Sequence, residues 1–524
     1  MNAVKSVYYI TTPIYYVNDK PHVGHAYTSV AADVLARWRR LEGHAVHFLT
    51  GTDEHGQKVE KAARDAGQDP QAFCDRVSQA FRDLTGVMGL SNDGFIRTTE
   101  PRHHRSCQAI WSELAARGEI YLGHYEGWYA VRDEAFYGAD EVVARDGGRF
   151  APSGAPVEWV REPSYFFRLS RWLPELLRRT ELPAGDPEAI EIQPASRRNE
   201  VRSFIQQGLK DFSETPEKLD LSISRTAFSW GVPVPGDPAH VMYVWLDALT
   251  NYITEAGYPD DLERLNRIWP ADIHFVGKDI VRFHTIYWPA FLLAAGLPPP
   301  RRVFAHGWWT IDGQKMSKSL GNAIDPSALV AEVGLDPLRY FLLREVPFGQ
   351  DGDFSRAALA NRLNGELANA LGNLANRTLS LIQRNCDGRL PGPATPAPAD
   401  AALLASMAAL PATVGRHLDA QEFHLALEAI MALARDANGY ITVEAPWALK
   451  KTDPDRMLAV LRQLHDALRC LATLLQPFMP QTMAALLDQL GVPAGARSLA
   501  ALGEPLPGDI ALPAPAPLFR KLEA

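Results

Sequence analysis

Residues 7–56 read VYYITTPIYYVNDKPHVGHAYTSVAADVLARWRRLEGHAVHFLTGTDEHG. The run Val7–Thr12 packs Val, Tyr and Ile together and reads as a buried strand. A loop through Asn18, Asp19 and Pro21 follows. His22-Val23-Gly24-His25 then opens a helix whose Val30, Val34 and Trp38 fall on one stripe, with Gly43 placed as its C-cap. Val46–Thr50 is a second strand, ending in Gly51-Thr52-Asp53-Glu54-His55-Gly56. Strand, helix, strand is the opening of an α/β sheet.

Outward from this stretch the pattern breaks and resumes. Residues 118–235 are rich in Trp, Tyr, Phe, Gly and Pro with short alternating runs, the texture of an inserted domain. Ile273–Gly277 is again a strand, Asp279–Ala295 an apolar helix, and Val303–His306 another strand. A long loop, Gly307 to Asn322, carries Lys315 and Lys318. From Ser355 onward the pattern is mostly helical, interrupted by the Pro/Ala-rich linker Pro391–Pro398. The tail Pro505–Pro517 is Pro-rich and is expected to be loosely ordered.

Composition sets the class. At about 150 residues per domain, 524 residues imply roughly three or four domains. With 46% hydrophobic and 22% charged residues, the chain is globular, which excludes disordered, collagen-like and membrane classes. A net charge of -9 argues against coating nucleic acid by charge alone, but leaves room for a local basic face. Cys74, Cys107, Cys386 and Cys470 lie far apart, so no disulfide framework or zinc ribbon is legible. The N-terminus lacks signal-peptide character. The uncharged stretches Thr285–Pro300 and Leu471–Leu487 contain prolines and are too short for a membrane span. The expected location is the cytoplasm.

Two short motifs carry chemistry. His22 and His25 are three apart at a helix start and face one side. Gly24 between them lets a ligand approach the backbone, and the N–H groups of a first turn attract anions. Lys315-Met316-Ser317-Lys318-Ser319 lies between Gly313 and Gly321. Lysines three apart in a mobile glycine-bounded loop suit a polyphosphate held in the transition state. Either motif alone has a bland reading, as a packed histidine pair or a solvated charge run.

Together, in this order and context, they resemble the class I aminoacyl-tRNA synthetases. Four further stretches narrow the resemblance to the methionyl-tRNA synthetase family: Tyr9–Asn18, Gly51–Gly56, Tyr243–Leu249 and His274–His284. The likeness runs from about residue 7 to residue 480. It implies an α/β fold with a Rossmann-like parallel sheet in the catalytic domain (1–117 and 236–324). An inserted connective domain (118–235) would divide that domain. A stem-contact segment (325–356) and an α-helical anticodon-binding bundle (357–524) would follow.

The resemblance also implies the activity and its residues. Methionine would be activated with ATP, accompanied by Mg²⁺, and passed to initiator and elongator tRNA(Met). His22 and His25 would serve the phosphates, Gly24 would leave room for adenine, and Lys315, Ser317 and Lys318 would close over the nucleotide. Lys315 and Lys318 join the two histidines as the catalytic set. Ile14, Tyr16, Trp245, Ala248, Leu249, Tyr252, Ile280, His284 and Trp288 would build the methionine slot. Tyr16 and His284 would supply polar contacts near sulfur, and Asp53 would anchor the substrate ammonium. A thioether suits such a lining, since sulfur–aromatic contacts contribute about 0.3–1.5 kcal/mol. Asn373, Arg377 and Trp447 would read the anticodon, and Arg225 of Ser222-Ile223-Ser224-Arg225 would serve the tRNA acceptor end or structure.

The sequence departs from its relatives in the insertion. Many of them carry zinc knuckles built from Cys pairs. Here Tyr129–Glu134 and Phe150–Gly154 occupy those places, and no cysteine lies between Cys107 and Cys386. His124 has no partner at ligand spacing, and Asp133 and Asp140 alone would make a weak, open site. No structural zinc is therefore expected, and Trp128, Tyr129, Phe136, Tyr137 and Trp159 are the candidates for packing the turns instead. The chain ends soon after the helical region, without the dimerising module of some relatives, so a monomer is expected, with no DNA or membrane partner. The rival readings are weaker. Synthetases for other apolar amino acids have much larger editing insertions. A non-catalytic tRNA-binding paralogue would not need the histidines and lysines. A nucleotidyltransferase would lack the helical C-terminus.

Overall fold

The computed structural model describes residues 7–17, 20–133, 135–138, 141–145, 147–311, 313–315 and 323–522. The chain forms two compact units. The first contains Met1–Pro21, Ala45–Gly86 and Asn92–His306, and the second contains His22–His44, Val87–Ser91 and Gly307–Ala524.

The first unit is built on a parallel six-stranded sheet. Its strands are β1 (Tyr8–Tyr16), β2 (Val46–Asp53), β3 (Gly94–Arg97), β4 (Glu191–Gln193), β5 (Ile273–Gly277) and β6 (Arg302–His306), in spatial order β3-β2-β1-β5-β6-β4. Every neighbouring pair is parallel. Such a sheet is covered on both faces, which is why its strands read as apolar runs rather than alternating ones. β1 and β2 are longer than the apolar runs suggested. They continue past a register shift between Thr11 and Ile14, and this brings Tyr16 directly beside Asp53. A Cβ at Gly51 would fall 2.1 Å from the Ile96 carbonyl oxygen, so only glycine lets β2 lie this close to β3.

Edge strand β4 comes from within 118–235 and pairs with β6, so that stretch contributes to the central sheet as well as forming an insertion. The insertion's own sheet is antiparallel, with Ile120–Ala130 against Glu158–Phe167 at its centre. Helices α2 (Pro101–Ala116) and α3 (Val244–Ala256) pack into the buried core that contains Cys107, Ile110, Leu249, Tyr252 and Trp288.

Residues 279–295 differ from the expected uniform helix. A 3₁₀ turn (Lys278–Ile280) leads to a π-helical turn (Phe283–Tyr287) and then α4 (Trp288–Ala294). Pro289 gives a local reason. It has no N–H for the Thr285 carbonyl and its ring crowds that turn, so the chain winds wider there.

In the second unit, α1 (Val23–Leu41) is held by a buried ion pair. Asp33 accepts from Arg339 at 2.7 Å and from the backbone and hydroxyl of Ser91, both at 2.6 Å. Arg339 lies on α5 (Leu335–Arg344) and also donates to the carbonyls of Met88, Pro477 and Phe478. A buried guanidinium with every bond directed at an oxygen is a rigid joint, and removing one partner would leave a costly unpaired charge. The start of α1 is tied to Ile324 by a backbone bond from Val23.

A three-stranded sheet sets Trp309–Ile311 between Gln314–Lys315 and Gly352–Asp353. The beginning of the lysine loop is thereby joined to the expected stem-contact segment.

The C-terminal part of this unit is a helical bundle. The helix expected over about 357–384 spans Arg356 to Asn385, with π winding at Leu363–Gly372 before α6 (Asn373–Asn385). α7 (Pro446–Thr452) and α8 (Pro454–Leu475) follow. The α/β architecture with a parallel sheet and a helical C-terminal part is as expected from sequence.

The proline-rich tail is not loose. Leu390 donates to Ile510, and Leu512 to Gly388. Leu506 and Leu512 are buried, and Gln383 donates to Leu512 and Pro513. Prolines tolerate this extended edge position because the tail's acceptors, rather than its missing donors, make many of the bonds.

Candidate active site

α1 begins with a reciprocal cap. His22 is the N-cap, and its Nδ1 accepts the backbone N–H of Gly24 at 3.0 Å. The backbone N–H of His22 in turn donates to Nδ1 of His25 at 3.1 Å. This is the capping-box arrangement, made here by two imidazoles. An Nδ1 that accepts carries no proton, so in the neutral ring the proton sits on Nε2 of each histidine. A Cβ at Gly24 would fall 2.8 Å from Cε1 of His22, so any larger residue there would push the ring out of this position.

Met316, Ser317, Lys318 and Ser319 lie outside the described residues. Of Lys315, the backbone is described, paired with Thr310.

The first unit gathers an aromatic cluster. α3 directs Ala248, Leu249 and Tyr252 into the core, while Trp245 is half-buried at its first turn. The Trp245 ring stacks on Phe283 with centroids 3.7 Å apart and planes within 7°. Tyr252 and Trp288 have centroids 6.1 Å apart. Ile14, Tyr16 and Ile280 pack on the same core as half-buried residues.

His284 is the polar centre of this cluster. A carbonyl can only accept, so Nδ1–H donates to the Ile280 oxygen at 3.0 Å. Nε2 then accepts the Tyr252 hydroxyl at 2.8 Å. Burial pushes the imidazole pKa down to about 4, so the ring is neutral at physiological pH. Both nitrogens are committed within the protein. Tyr16 is similarly engaged, its hydroxyl donating to the His55 carbonyl at 3.0 Å. Both residues were expected to supply polar contacts near sulfur; in the structure the Tyr16 hydroxyl and both His284 nitrogens are bonded within the protein.

Asp53 is buried beside Tyr16 at the end of β2. Burial raises the Tyr252 pKa most, and the charge of Asp53 adds to that rise. The carboxylate is thus within electrostatic reach of the cluster.

Sequence reasoning did not single out Phe283, His55, His103 or Asp247. Asp247 and His55 lay in motifs already quoted, but no pattern revealed that they meet. His55 Nδ1 and His103 Nε2 each stand 2.7 Å from a different oxygen of Asp247.

Among the described residues, only His103, Cys107 and Asp247 bring three potential metal-ligand atoms within 4.8 Å of one another. Their nitrogen–oxygen separation of 2.7 Å is a hydrogen bond. Two ligands on a tetrahedral zinc would stand about 3.3–3.8 Å apart.

The two turns of the insertion are joined by polar side chains. Tyr137 donates to Asp133 at 2.9 Å, the Ser153 hydroxyl donates to the same carboxylate, and Arg132 donates to the Ser153 carbonyl at 2.6 Å. Ala130, Ala151, Ala155 and Val157 form a small core beneath, with Trp128 and Tyr137 against it. Trp128 meets Trp159 edge-on at 5.2 Å, and Trp159 is exposed. Asp140 and the side chain of Phe136 are outside the described residues.

In the helical bundle, Arg377 of α6 places its guanidinium 5.7 Å from the Trp447 ring centroid. Trp447 is 50% exposed, so it is not a core residue. Asn373 is exposed one turn before Arg377 on α6. Arg225 is buried, donates to Ser222 at 2.8 Å, and lies 4.5 Å over the Tyr243 ring.

Comparison with known proteins gives the class first. A family model described as tRNA synthetases class I (M) matches residues 8–146 and 150–379. A second, described as the anticodon binding domain of methionyl tRNA ligase, matches residues 390–524. The methionine--tRNA ligase of Brucella suis biovar 1 (strain 1330) is 54% identical over 520 residues, covering 99% of this chain and 98% of that protein. That of Rickettsia bellii (strain RML369-C) is 54% identical over 492 residues, 93% of each. The structure of Mycobacterium tuberculosis methionyl-tRNA synthetase in complex with methionyl-adenylate superposes with a TM-score of 0.93 at 50% identity. It covers 98% of this chain and 99% of that one. The chain belongs to the methionyl family of the class I tRNA synthetases. No helix among the described residues is long and apolar enough to cross a membrane.

Proposed function

We propose that this chain is a methionine–tRNA ligase, which converts L-methionine and ATP to methionyl-adenylate and pyrophosphate, then passes methionine to the 3′ end of tRNA(Met). The observation that carries the reading is the neutral, internally satisfied His284 among Trp245, Tyr252 and Trp288. With both nitrogens already bonded, the slot presents polarizable carbon rather than charge, which suits a thioether. Ile14, Tyr16, Ala248, Leu249 and Ile280 complete it. Asp53 takes the substrate ammonium, where a buried carboxylate gains most from a cation.

The methionine carboxylate is already a nucleophile, so no covalent enzyme intermediate is needed. It attacks the α-phosphorus in line, and pyrophosphate leaves. The protein's task is to position the reactants and neutralise growing charge. His22 and His25 donate from Nε2 to phosphate oxygens, and Gly24 keeps the His22 ring at the helix end. Lys315, Ser317 and Lys318 close over the departing phosphates. Mg²⁺ enters with ATP as part of the substrate. The terminal adenosine hydroxyl of tRNA then attacks the adenylate carbonyl, and AMP leaves.

Anticodon reading falls to Asn373, Arg377 and Trp447. An exposed indole with a guanidinium over it is a stacking platform, and Asn offers both donor and acceptor to a base edge. The domain reading keeps the catalytic parts at 1–117 and 236–324, the connective part at 118–235, the stem-contact segment at 325–356 and the anticodon bundle at 357–524. The strand that links Lys315 to Gly352–Asp353 supports coupling between the lysine loop and the stem-contact segment. The reading places the reaction in the cytoplasm, on initiator and elongator tRNA, with the chain acting as a monomer and neither DNA nor membrane as partner.

ATP–pyrophosphate exchange with each of the twenty amino acids tests the assignment. Exchange is expected to depend on methionine, with leucine and isoleucine far weaker. Equal exchange with leucine overturns it.

A further inference from the structure

Asp247 has no exposed surface, yet it carries a carboxylate that none of the steps above uses. It lies on α3, two residues past Trp245 and one before Ala248. Tyr252, Ala248 and Leu249 belong to the face directed at the aromatic cluster, and Asp247 is turned from them toward α2 and the end of β2. A carboxylate can only accept. Its Oδ2 therefore takes Nδ1–H of His55 at 2.7 Å, and its Oδ1 takes Nε2–H of His103 at 2.7 Å.

Each imidazole is itself held. His103 is fully buried on α2, with Nδ1 3.2 Å from the Thr254 hydroxyl and Nε2 3.2 Å from the Cys107 sulfur. The His55 ring meets Trp230 at 5.6 Å and His104 at 5.2 Å, both edge-on. Burial favours the protonated acid of Asp247, but His55 and His103 outweigh it and hold the carboxyl below its usual range.

His55 follows Asp53 and Glu54 directly, and its carbonyl receives the Tyr16 hydroxyl. One buried charge thus joins two parts of the amino-acid site that come from separate elements. We infer that Asp247 is a positioning residue for amino-acid recognition, locking the Asp53–His55 turn and Tyr16 in register with the face of α3 that carries Ala248, Leu249 and Tyr252. The inference rests on reading those residues as the methionine site. An unbonded carboxylate in this interior would be costly, so the paired arrangement holds the turn in one place. The binding energy for the ammonium and the side chain can be realised together only when that spacing is right.

The test is steady-state ATP–pyrophosphate exchange on the full chain, with methionine and ATP varied separately, and methionine titration followed by Trp fluorescence. Asp247→Asn keeps the shape but places an amide N–H against one imidazole. KM and Kd for methionine are expected to rise roughly tenfold or more, with KM for ATP unchanged. On the other oxygen, His103→Gln retains an N–H donor and should stay close to wild type, whereas His103→Leu should reproduce the methionine defect. If Asp247→Asn does not fold, the His103 pair decides alone. Methionine KM and Kd within twofold of wild type in Asp247→Asn or His103→Leu overturn the inference, as does an equal loss for methionine and ATP. Absence of methionine-dependent exchange in the wild type is a different outcome and would overturn the site reading beneath it.

Discussion

The rings of His22 and His25 lie 4.0 Å apart, and each accepts a backbone N–H from the same helix turn. This reciprocal cap leaves Nε2 of both rings as the proton-bearing nitrogen. Loss of either histidine should therefore do two separable things. His25→Ala should cost about 1 kcal/mol of stability as a lost cap. It should also lower kcat for exchange by roughly 10²-fold, the size of effect seen when one transition-state donor is removed.

Gly24→Ala offers a finer probe of the same cap. The new Cβ would displace the His22 ring without deleting it, so kcat should fall while KM for methionine holds. A methionine KM that rises in step with the kcat loss would contradict this division of roles.

His284 sets a pH signature. Folded, it stays neutral down to about 4, whereas an unfolded histidine protonates near 6.5. Between these values the unfolded chain binds the extra proton, so stability rises with pH across the window. It is fully present above about 6.5 and lost as pH falls toward 4, by about 3 kcal/mol from this group. Thermal melts across that range should show the loss, and His284→Asn should flatten it. Parallel slopes for the two proteins would contradict the buried neutral assignment.

Trp447→Ala should weaken tRNA use and spare methionine activation. A stacked base is worth about 1–3 kcal/mol by alanine substitution, which predicts a KM for tRNA raised about fivefold to 150-fold. Because half of the indole surface is exposed, the fold should tolerate the change. Collapse of exchange together with charging would show that the indole supports the structure instead.

The insertion should keep its turns without zinc. Asp133 accepts from Tyr137 and Ser153, and Arg132 bridges to the Ser153 carbonyl. Chelation followed by Mg²⁺ replenishment should restore full activity, and metal analysis after dialysis should find less than stoichiometric zinc. One zinc per chain would overturn this account. Asp133→Ala should destabilise the insertion by about 1–3 kcal/mol through the donors left unsatisfied.

Local order was legible along the chain because it depends on near neighbours. Apolar runs revealed β1, β2, β5 and β6, and the helix after His22 followed from its Val30–Val34–Trp38 stripe. The short motifs His22–His25 and Lys315–Ser319 stand out in the sequence for the same reason, and the chemistry proposed for them rests on the family resemblance. The reach of the tertiary structure begins where partners are distant in sequence. No spacing rule places Asp247 between His55 and His103, nor Arg377 over the Trp447 ring, since these meetings depend on how whole elements pack. The same holds for β4, three residues of edge strand too short to show a period, and for the proline-rich tail, whose order comes from hydrogen bonds to residues 388–390. It also holds for His284. A sequence shows that the imidazole is there, but only burial and two fixed partners decide that it is neutral and already satisfied.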